Sequence, residues 1–248
     1  MPDAASLLWF FACLALLVAA GTALLRAQGV GLGAAPWIAV LRAAIQLALV
    51  ALILRGVLAW WWALAAFLLL MLTTATFTGA GRAKELPRGR AAAALGIGAG
   101  AVVSVGSVVA LGLVQFTPEQ LVAIAGILIG NSMSASTLSL RGFLQQLRDR
   151  RGEVEGWLSL GATPAQSTLD LRRHAIREAL IPTLDQTKST GLVTLPGAFV
   201  GALFGGASPV EAAMFQLVVL VGIFLGQSVS ATIATGWAAR SPLLPAPE

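Results

Sequence analysis

A polar run interrupts an otherwise apolar part of the sequence: residues 130–137 are Gly-Asn-Ser-Met-Ser-Ala-Ser-Thr. Its amide, thioether and hydroxyl groups have the chemistry needed to contact a polar solute inside a membrane. The same run offers small side chains at four-residue spacing, which let two membrane helices approach closely. Both interpretations stay open from the sequence. The candidate pathway residues in this run are Asn131, Ser132, Met133 and Ser134.

Four further polar residues lie in apolar segments. Arg42 and Gln46 are four residues apart, so they lie on one face of a helix. An arginine within a membrane is costly and faces protein, water or the lipid headgroups. The pair is therefore either a structural anchor between helices or a contact for a solute. Gln216 and Gln227 have the same two interpretations, with a hydrogen bond between helices favoured.

The groups that would power or catalyse a reaction are missing from the sequence. A phosphate-binding loop needs Gly-x-x-x-x-Gly-Lys-[Ser/Thr], whereas Lys84 and Lys188 follow an alanine and a threonine. One cysteine and one histidine cannot form a Cys/His metal cluster, and the apolar segments hold no carboxylate for a proton relay. We therefore expect a chain that is not an enzyme and binds no cofactor itself, with any metal site unknown.

The composition places the chain in a lipid bilayer. Hydrophobic residues make up 57% of its 248 residues and charged residues 11%, against roughly 45–50% and about 25% in soluble proteins. The cations are not interleaved with stacking aromatic residues, which argues against nucleic-acid binding. Seven stretches are long and apolar enough to cross a bilayer as helices. They cover residues 7–25, 37–54, 59–78, 91–114, 121–140, 191–206 and 212–238.

The positions of the cations orient these spans. Nearly all of the sixteen Lys and Arg residues follow the third span, follow the fifth span, or lie at span ends on that same side. By the positive-inside rule, this side is cytoplasmic. We expect an all-α integral membrane protein of the bacterial inner membrane, with about seven spans, its N-terminus outside and its C-terminus inside.

The long connection between the fifth and sixth spans, residues 141–190, has charges of both signs and apolar residues at helical spacing. This pattern predicts two cytoplasmic helices joined by a tight turn at residues 160–163. Thr163 is placed to cap the second helix, with Pro164 at the first helical position and Gln166 completing a capping box. Such a helix pair either joins two spans or docks a soluble partner.

Two prolines predict where the later helices change direction. The second cytoplasmic helix, with an apolar stripe of Leu169, Ile176 and Leu180, should end before Pro182, since the residue preceding a proline avoids the α conformation. Further along, Pro196-Gly197 is expected to kink the sixth span and to serve as a hinge.

Several blocks of the sequence resemble the FetB/YbbM permeases, which are bacterial membrane subunits of ATP-binding-cassette (ABC) transporters implicated in iron export. The plant aluminium-tolerance permeases are similar. The blocks occur in matching order and cover nearly the whole chain after about residue 38. They are LRAAIQLALVALIL (41–54), IAGILIGNSMSA (124–135), LSLGATPAQ (158–166), AIREALIPTLDQTKSTGLVTLPGAFVG (175–201) and SPVEAAMFQ (208–216).

The resemblance implies a permease that forms a homodimer and binds two copies of a separate ATPase, which holds the ATP and Mg²⁺. It also implies export of iron or of a metal-related cargo. A chelated metal, or a small organic cargo such as the sugar nucleotide associated with plant relatives, is the alternative. A channel or secondary transporter that needs no ATPase, and a membrane scaffold, are further alternatives from other classes.

A partial motif supports the docking interpretation of the cytoplasmic helices. Many ABC permeases have a glycine six residues after the first glutamate of a cytoplasmic motif, and Glu155 and Gly161 have this spacing. Gly156 and Trp157 replace the usual alanines, and Pro182 comes later than in the importer pattern. The expected ATPase-coupling residues are Glu155, Leu160, Gly161, Ala162, Thr163, Arg172, Arg173 and Pro182.

Overall fold

The computed structural model describes residues 3–241, including all of their side chains except those of Ala4 and Arg55. Within this range the chain forms ten α-helices. They are α1 (Ala4–Ala27), α2 (Ala35–Ala59), α3 (Trp61–Arg82), α4 (Gly89–Ala110), α5 (Pro118–Asp149), α6 (Arg151–Ser159), α7 (Pro164–Ser167), α8 (Leu169–Ser189), α9 (Gly197–Phe204) and α10 (Pro209–Ala238). Six of these, α1 to α5 and α10, are long and apolar enough to cross a membrane. The predicted fold class, an all-α integral membrane protein, is confirmed.

The chain divides into two compact units, residues 1–59 and 60–248. The first is an N-terminal pair made of α1 and α2, and the second is a bundle built on α3, α4, α5 and α10. In the N-terminal pair, Thr22 is buried but donates its hydroxyl only to carbonyl groups of its own helix, at Val18 and Ala19. Arg42 and Gln46 lie on α2 and are exposed.

Small residues set the spacing of the bundle. A Cβ atom added at Gly100 on α4 would lie 2.6 Å from the carbonyl oxygen of Gly226 on α10. A Cβ atom at Gly96, one turn earlier, would lie 2.7 Å from the carbonyl oxygen of Ser230. The backbones of α4 and α10 therefore approach as closely as membrane helices with small residues at four-residue spacing allow.

These contacts also give the directions of the helices. Along α10, Gly222 lies against Leu128 of α5 and Gly226 lies against Ser132, so the residue numbers rise together and α5 and α10 are parallel. In α3, Met71 approaches Gly126 of α5 while Gly79 lies near Met133, so α3 is parallel to α5 as well. Helix α4 is antiparallel to all three. The C-terminal ends of α3, α5 and α10 therefore lie at the same end of the bundle.

The predicted basic segments meet at that end. Arg148, at the end of α5, forms a 3.3 Å ion pair with Glu85 in the connection between α3 and α4. Beneath them, Leu86, Phe143 and Ala238 belong to one buried cluster, although they come from three different segments. Because this end carries the cations, we refer to it as the cytoplasmic end, as the positive-inside rule predicts.

The predicted cytoplasmic helices are arranged differently in detail. The first is split, because α5 continues to Asp149 and α6 begins again at Arg151. The second is also split, into the short helix α7 and the long helix α8. The apolar stripe predicted for the second helix is only half-buried, because α8 packs on the bundle through a neighbouring row of residues. The buried residues of α8 are Leu171, Ala175 and Ala179.

The prediction that the second helix ends before Pro182 is wrong, because α8 continues to Ser189. Proline has no amide hydrogen, so this helix lacks the hydrogen bond to the carbonyl group of Glu178. Helix α8 continues past the proline without this bond.

The predicted sixth span, residues 191–206, forms a shorter helix than expected. Helix α9 has eight residues and is therefore about 12 Å long, against a hydrocarbon thickness of about 30 Å. A compact turn precedes it, in which the amide of Gly191 donates to the carbonyl of Thr194 at 2.8 Å. Pro196 and Gly197 do not kink a longer helix, because Pro196 is extended and stands at the N-cap of α9.

Candidate functional site

A projection from the cytoplasmic end, formed by α6, α7 and the turn between them, holds most of the predicted coupling residues. Gly161 lies in the turn with φ +88°, a conformation that side chains with a Cβ rarely adopt. Its amide donates to the carbonyl of Leu158, and the amide of Ala162 donates to the carbonyl of Trp157. These two bonds close α6 in the manner of a Schellman motif, so the chain reverses within four residues.

The start of α7 is capped as the sequence predicts. The Thr163 hydroxyl accepts from the amide of Gln166 at 3.4 Å, while the Gln166 side-chain oxygen accepts from the amide of Thr163 at 2.9 Å. Pro164 occupies the first turn, where its missing amide hydrogen costs nothing. The predicted turn, N-cap and capping box are confirmed, and together they fix the conformation of the tip.

The projection is firmly attached at its base and apolar at its tip. Val154 on α6 and Leu171 on α8 are each 1% exposed and belong to the same buried cluster as the cytoplasmic end of α5. At the tip, Leu160 is 81% exposed and Trp157 is 52% exposed. Burying the base while exposing two large apolar side chains in water produces a surface typical of a protein–protein contact.

An open groove runs beside this tip, with a volume of about 510 Å³. Trp157, Leu160 and Leu171 form its apolar wall, and Glu153 and Asp170 add two carboxylates. Around the groove, ion pairs join Arg150 to Glu153 and Arg151 to Glu155 along α6. Because Glu153 and Asp170 are both paired with arginines of this chain, the groove chiefly offers its apolar wall to a partner.

The structure gathers some of the predicted coupling residues and separates others. Glu155 and residues 160–163 lie on the projection and are exposed or half-buried. Arg173 is exposed on α8 and pairs with Asp170 at 3.2 Å, whereas Arg172 is turned toward Gly236 of α10. Pro182 lies about 21 Å along the helix from Thr168 and is not part of the projection.

Inside the bundle, the polar run of α5 is divided between two environments. Ser132 is fully buried, and its hydroxyl has no hydrogen-bond partner. The hydroxyl oxygen lies 3.0 Å from the position of a Cβ atom added at either Gly100 or Gly226. Its backbone carbonyl accepts from the hydroxyl of Ser230 on α10 at 2.8 Å. Met133 is half-buried against the main core cluster. These two residues therefore contribute to the packing of helices.

The other members of the run face a more open side of α5. Asn131 is half-buried, and its side-chain oxygen accepts a 3.3 Å hydrogen bond from the side-chain amide of Gln227 on α10. This confirms the predicted hydrogen bond between helices. Ser134 is exposed and donates to the carbonyl of Gly130, where a Cβ atom would meet nothing within 4 Å. On α10, Gln216 is buried and its side-chain oxygen has no partner.

One helix contact of the bundle was not predicted from the sequence. Helix α4 carries Gly96, Gly100 and Ser104 at four-residue spacing, and this row forms its contact with α10. The Ser104 hydroxyl is fully buried and donates to the carbonyl of Gly100 at 2.7 Å. The small-residue spacing was present in the sequence and could have identified the contact before the structure did.

Comparison with known proteins identifies the family. A model of the uncharacterised protein family UPF0014 matches residues 8–242, nearly the whole chain. The chain belongs to this family. No solved structure matches it.

The chain is also similar to three curated relatives. The UPF0014 membrane protein STAR2 of rice is 36% identical over 221 residues, 88% of this chain and 77% of that protein. The Arabidopsis protein ALUMINUM SENSITIVE 3 is 37% identical over 174 residues, 70% of this chain and 63% of that protein. The probable iron export permease protein FetB of Escherichia coli is 36% identical over 153 residues, 62% of this chain and 59% of that protein.

The resemblance expected from the sequence blocks is therefore confirmed. With its membrane-crossing helices and its relatives, this member of a permease-like membrane protein family is a multi-pass inner-membrane protein. The matched parts cover less than two thirds of the Arabidopsis and Escherichia coli proteins, so the activities of those whole proteins are not transferred by the match alone.

Proposed function

We propose that the chain is the membrane-spanning subunit of an ABC exporter, in which two copies of the permease bind two copies of a separate ATPase. The observation that carries this proposal is the exposed apolar tip of the cytoplasmic projection, with Leu160 and Trp157 in water above a buried base. A loop that only joined two spans would gain nothing from a capped turn and a fixed tip. A docking element needs both.

The attachment of the projection suggests how movement of the ATPase would reach the membrane. ATP binding closes the two ATPase subunits against each other and displaces whatever is docked on them. Val154 of α6 and Leu147 of α5 belong to one buried cluster, so a displacement at the tip is passed to α5. Through α8 it also reaches α9. The candidate hinge is formed by Pro196 and Gly197, at the N-cap and the first residue of that helix.

The cargo is proposed from the relatives. The name of the Escherichia coli relative, a probable iron export permease, makes iron the first candidate. A chelated metal or a small organic solute is the alternative, because the apolar spans predicted from the sequence offer a bare iron ion neither a carboxylate nor an imidazole. Asn131 and Ser134 on the open side of α5, and Arg42 and Gln46 on α2, are the candidate residues for cargo contact.

Co-purification tests the proposed partnership. We expect the full chain, expressed together with a candidate ABC ATPase subunit of the same organism, to retain that ATPase through purification. Leu160→Asp should abolish this retention, because it places a charge where the partner requires an apolar side chain. Gly152→Asp is the matched control: it adds the same charge to the exposed start of α6, away from the tip, and retention should persist.

Two outcomes would reject the proposal in different ways. Retention of the ATPase by Leu160→Asp would show that the tip is not the docking element. Transport of cargo that proceeds at full rate without any nucleotide would favour a channel or secondary transporter instead. A scaffold that transports nothing would show no stimulation of ATPase activity by any cargo.

A further inference from the structure

The parallel arrangement of α5 and α10 requires the chain to cross the membrane between them. Both helices end at the cytoplasmic end of the bundle, so α10 must begin at the opposite end. Residues 150–208 therefore contain one complete crossing. Helix α9, at about 12 Å, is too short to make it alone.

The contacts of α8 and α9 show where this crossing takes place. Helix α8 starts at the cytoplasmic end, where Ala175 lies 3.6 Å from the Cβ position of Gly142 on α5. Ala198 of α9 packs instead against the cluster of Ile124, Leu128 and Val219. These two levels are about 24 Å apart along α5.

Helix α8 spans most of that distance. From Ala175 to Ser189 it advances about 21 Å. The turn that follows adds little, because the amides of Val193 and Thr194 both bond back to the carbonyl of Ser189. The second half of α8 therefore runs beside the bundle, antiparallel to α5, at a depth occupied by the apolar parts of α4, α5 and α10.

The polar residues near the end of α8 lie close to the middle of the membrane. Asp185 is ten residues beyond Ala175, or about 15 Å, which is half of the hydrocarbon thickness and level with Ser132 of α5. Asp185 forms an ion pair with Lys188 at 3.2 Å, and both side chains are exposed. Charged side chains at this depth face water or protein rather than lipid.

The face of α8 that packs on the bundle changes character at this depth. Leu171, Ala175 and Ala179 are buried on it, and Thr183 is half-buried. Gln186 lies two turns beyond Ala179 on the same face, yet it is exposed. Two residues before it, on the opposite face, Leu184 is apolar. An apolar packing face thus becomes an open polar face halfway through the membrane.

We propose that residues 180–189 of α8 lie around the middle of the membrane and line a water-filled permeation path with Asp185 and Gln186. The inference deepens the proposed permease function and rests on it. It departs from the expectation that residues 141–190 are wholly cytoplasmic, and it supplies a carboxylate, which the apolar spans predicted from the sequence lack. Carboxylate and amide oxygens suit a hydrated or oxygen-chelated metal cation.

Cysteine accessibility tests this path in the intact permease–ATPase complex. The single native cysteine is first replaced by Cys13→Ser, and Gln186→Cys, Leu184→Cys and Val102→Cys are then made separately. Val102 is the control for depth, since it is exposed on α4 two residues from Gly100 and surrounded by apolar residues. Each variant is treated in membrane vesicles with a charged, membrane-impermeant thiol reagent.

We expect Gln186→Cys to react about tenfold faster than the other two, because only a thiol in contact with water ionises and reacts. Equal reaction of Gln186→Cys and Leu184→Cys would mean that water surrounds α8 outside the membrane, which overturns the proposal. No reaction at the thiol introduced by Gln186→Cys would also overturn it. A disulfide between the introduced cysteines of two chains would overturn it as well, because a second copy of the chain would then cover this face.

A second position keeps the test decisive if Gln186→Cys does not assemble. Thr183→Cys lies on the neighbouring part of the same face, one turn closer to the cytoplasm, and should also react. The failure of the path and the failure of the ABC partnership are distinguishable. An unreactive but normally co-purifying complex rejects the path alone, whereas a reactive chain without a bound ATPase rejects the partnership alone.

Discussion

The N-terminal pair and the bundle are both strongly apolar, but they use their apolar residues differently. The most apolar 18-residue stretches of α4, α5 and α10 each bury 44% of their residues, while those of α1 and α2 bury 6% and 0%. Mean hydropathy does not explain this difference, because it is 2.3 for α1 and α2 and only 1.6 for α5. Hydropathy indicates which segments enter the membrane, whereas small residues at four-residue spacing indicate which of them pack closely.

The largest expected effect is a loss of unfolding free energy that differs between two isoleucines, one in each region. Ile97 on α4 is 0% exposed, so Ile97→Ala should leave a cavity and lower the free energy of unfolding by about 2–5 kcal/mol. Ile38 on α2 is 62% exposed, and Ile38→Ala should have little effect. Thermal unfolding of the detergent-purified chain measures both. Equal losses would show that the N-terminal pair is packed as tightly as the bundle.

A smaller effect is expected from added bulk at glycines. Gly100→Ala places a methyl group 2.6 Å from a backbone oxygen of α10, and the overpacking should cost about 1–3 kcal/mol. Gly98→Ala, on the same helix, and Gly21→Ala, on α1, meet nothing within 4 Å. Both should be neutral or slightly stabilising, because alanine favours a helix more than glycine does. Thermal unfolding again checks the series, and a stable Gly100→Ala chain would contradict the assigned helix contact.

Much of this difference could have been predicted from the sequence. The six long helices follow from hydropathy, and the capped turn at Thr163 follows from the local order of Thr, Pro and Gln. The row of Gly96, Gly100 and Ser104 on α4 was visible but was not used.

The proposed crossing through α8 could not be predicted in the same way. A helix that lines water inside a membrane has the same mixture of charged and apolar residues as a helix in the cytoplasm, so composition does not separate them. Pro182 predicted a helix end that does not occur, because α8 continues to Ser189 despite the preference of the residue before a proline. Only the directions of α5 and α10, which are tertiary information, require a crossing within residues 150–208.

The smallest effect concerns polar contacts between helices. The hydrogen bond from Gln227 to Asn131 joins α10 to α5, and a double-mutant cycle with Gln227→Leu and Asn131→Leu should give a coupling of about 0.6–1.7 kcal/mol. In the N-terminal pair, Thr22 bonds only to its own helix, so Thr22→Val should be nearly neutral. A coupling of zero in the cycle, measured by thermal unfolding, would mean that the bond between α5 and α10 does not stabilise the bundle.

ATP-driven transport is the most direct test of the central claim. The purified chain and its ATPase are reconstituted in proteoliposomes, and movement of ferrous iron, iron chelates and sugar nucleotides is followed with and without ATP. We expect at least one of these cargoes to stimulate ATP hydrolysis and to move only when ATP is present, with both activities lost in Leu160→Asp and kept in Gly152→Asp. Movement of cargo at the same rate without nucleotide would contradict the claim that a separate ATPase drives this chain.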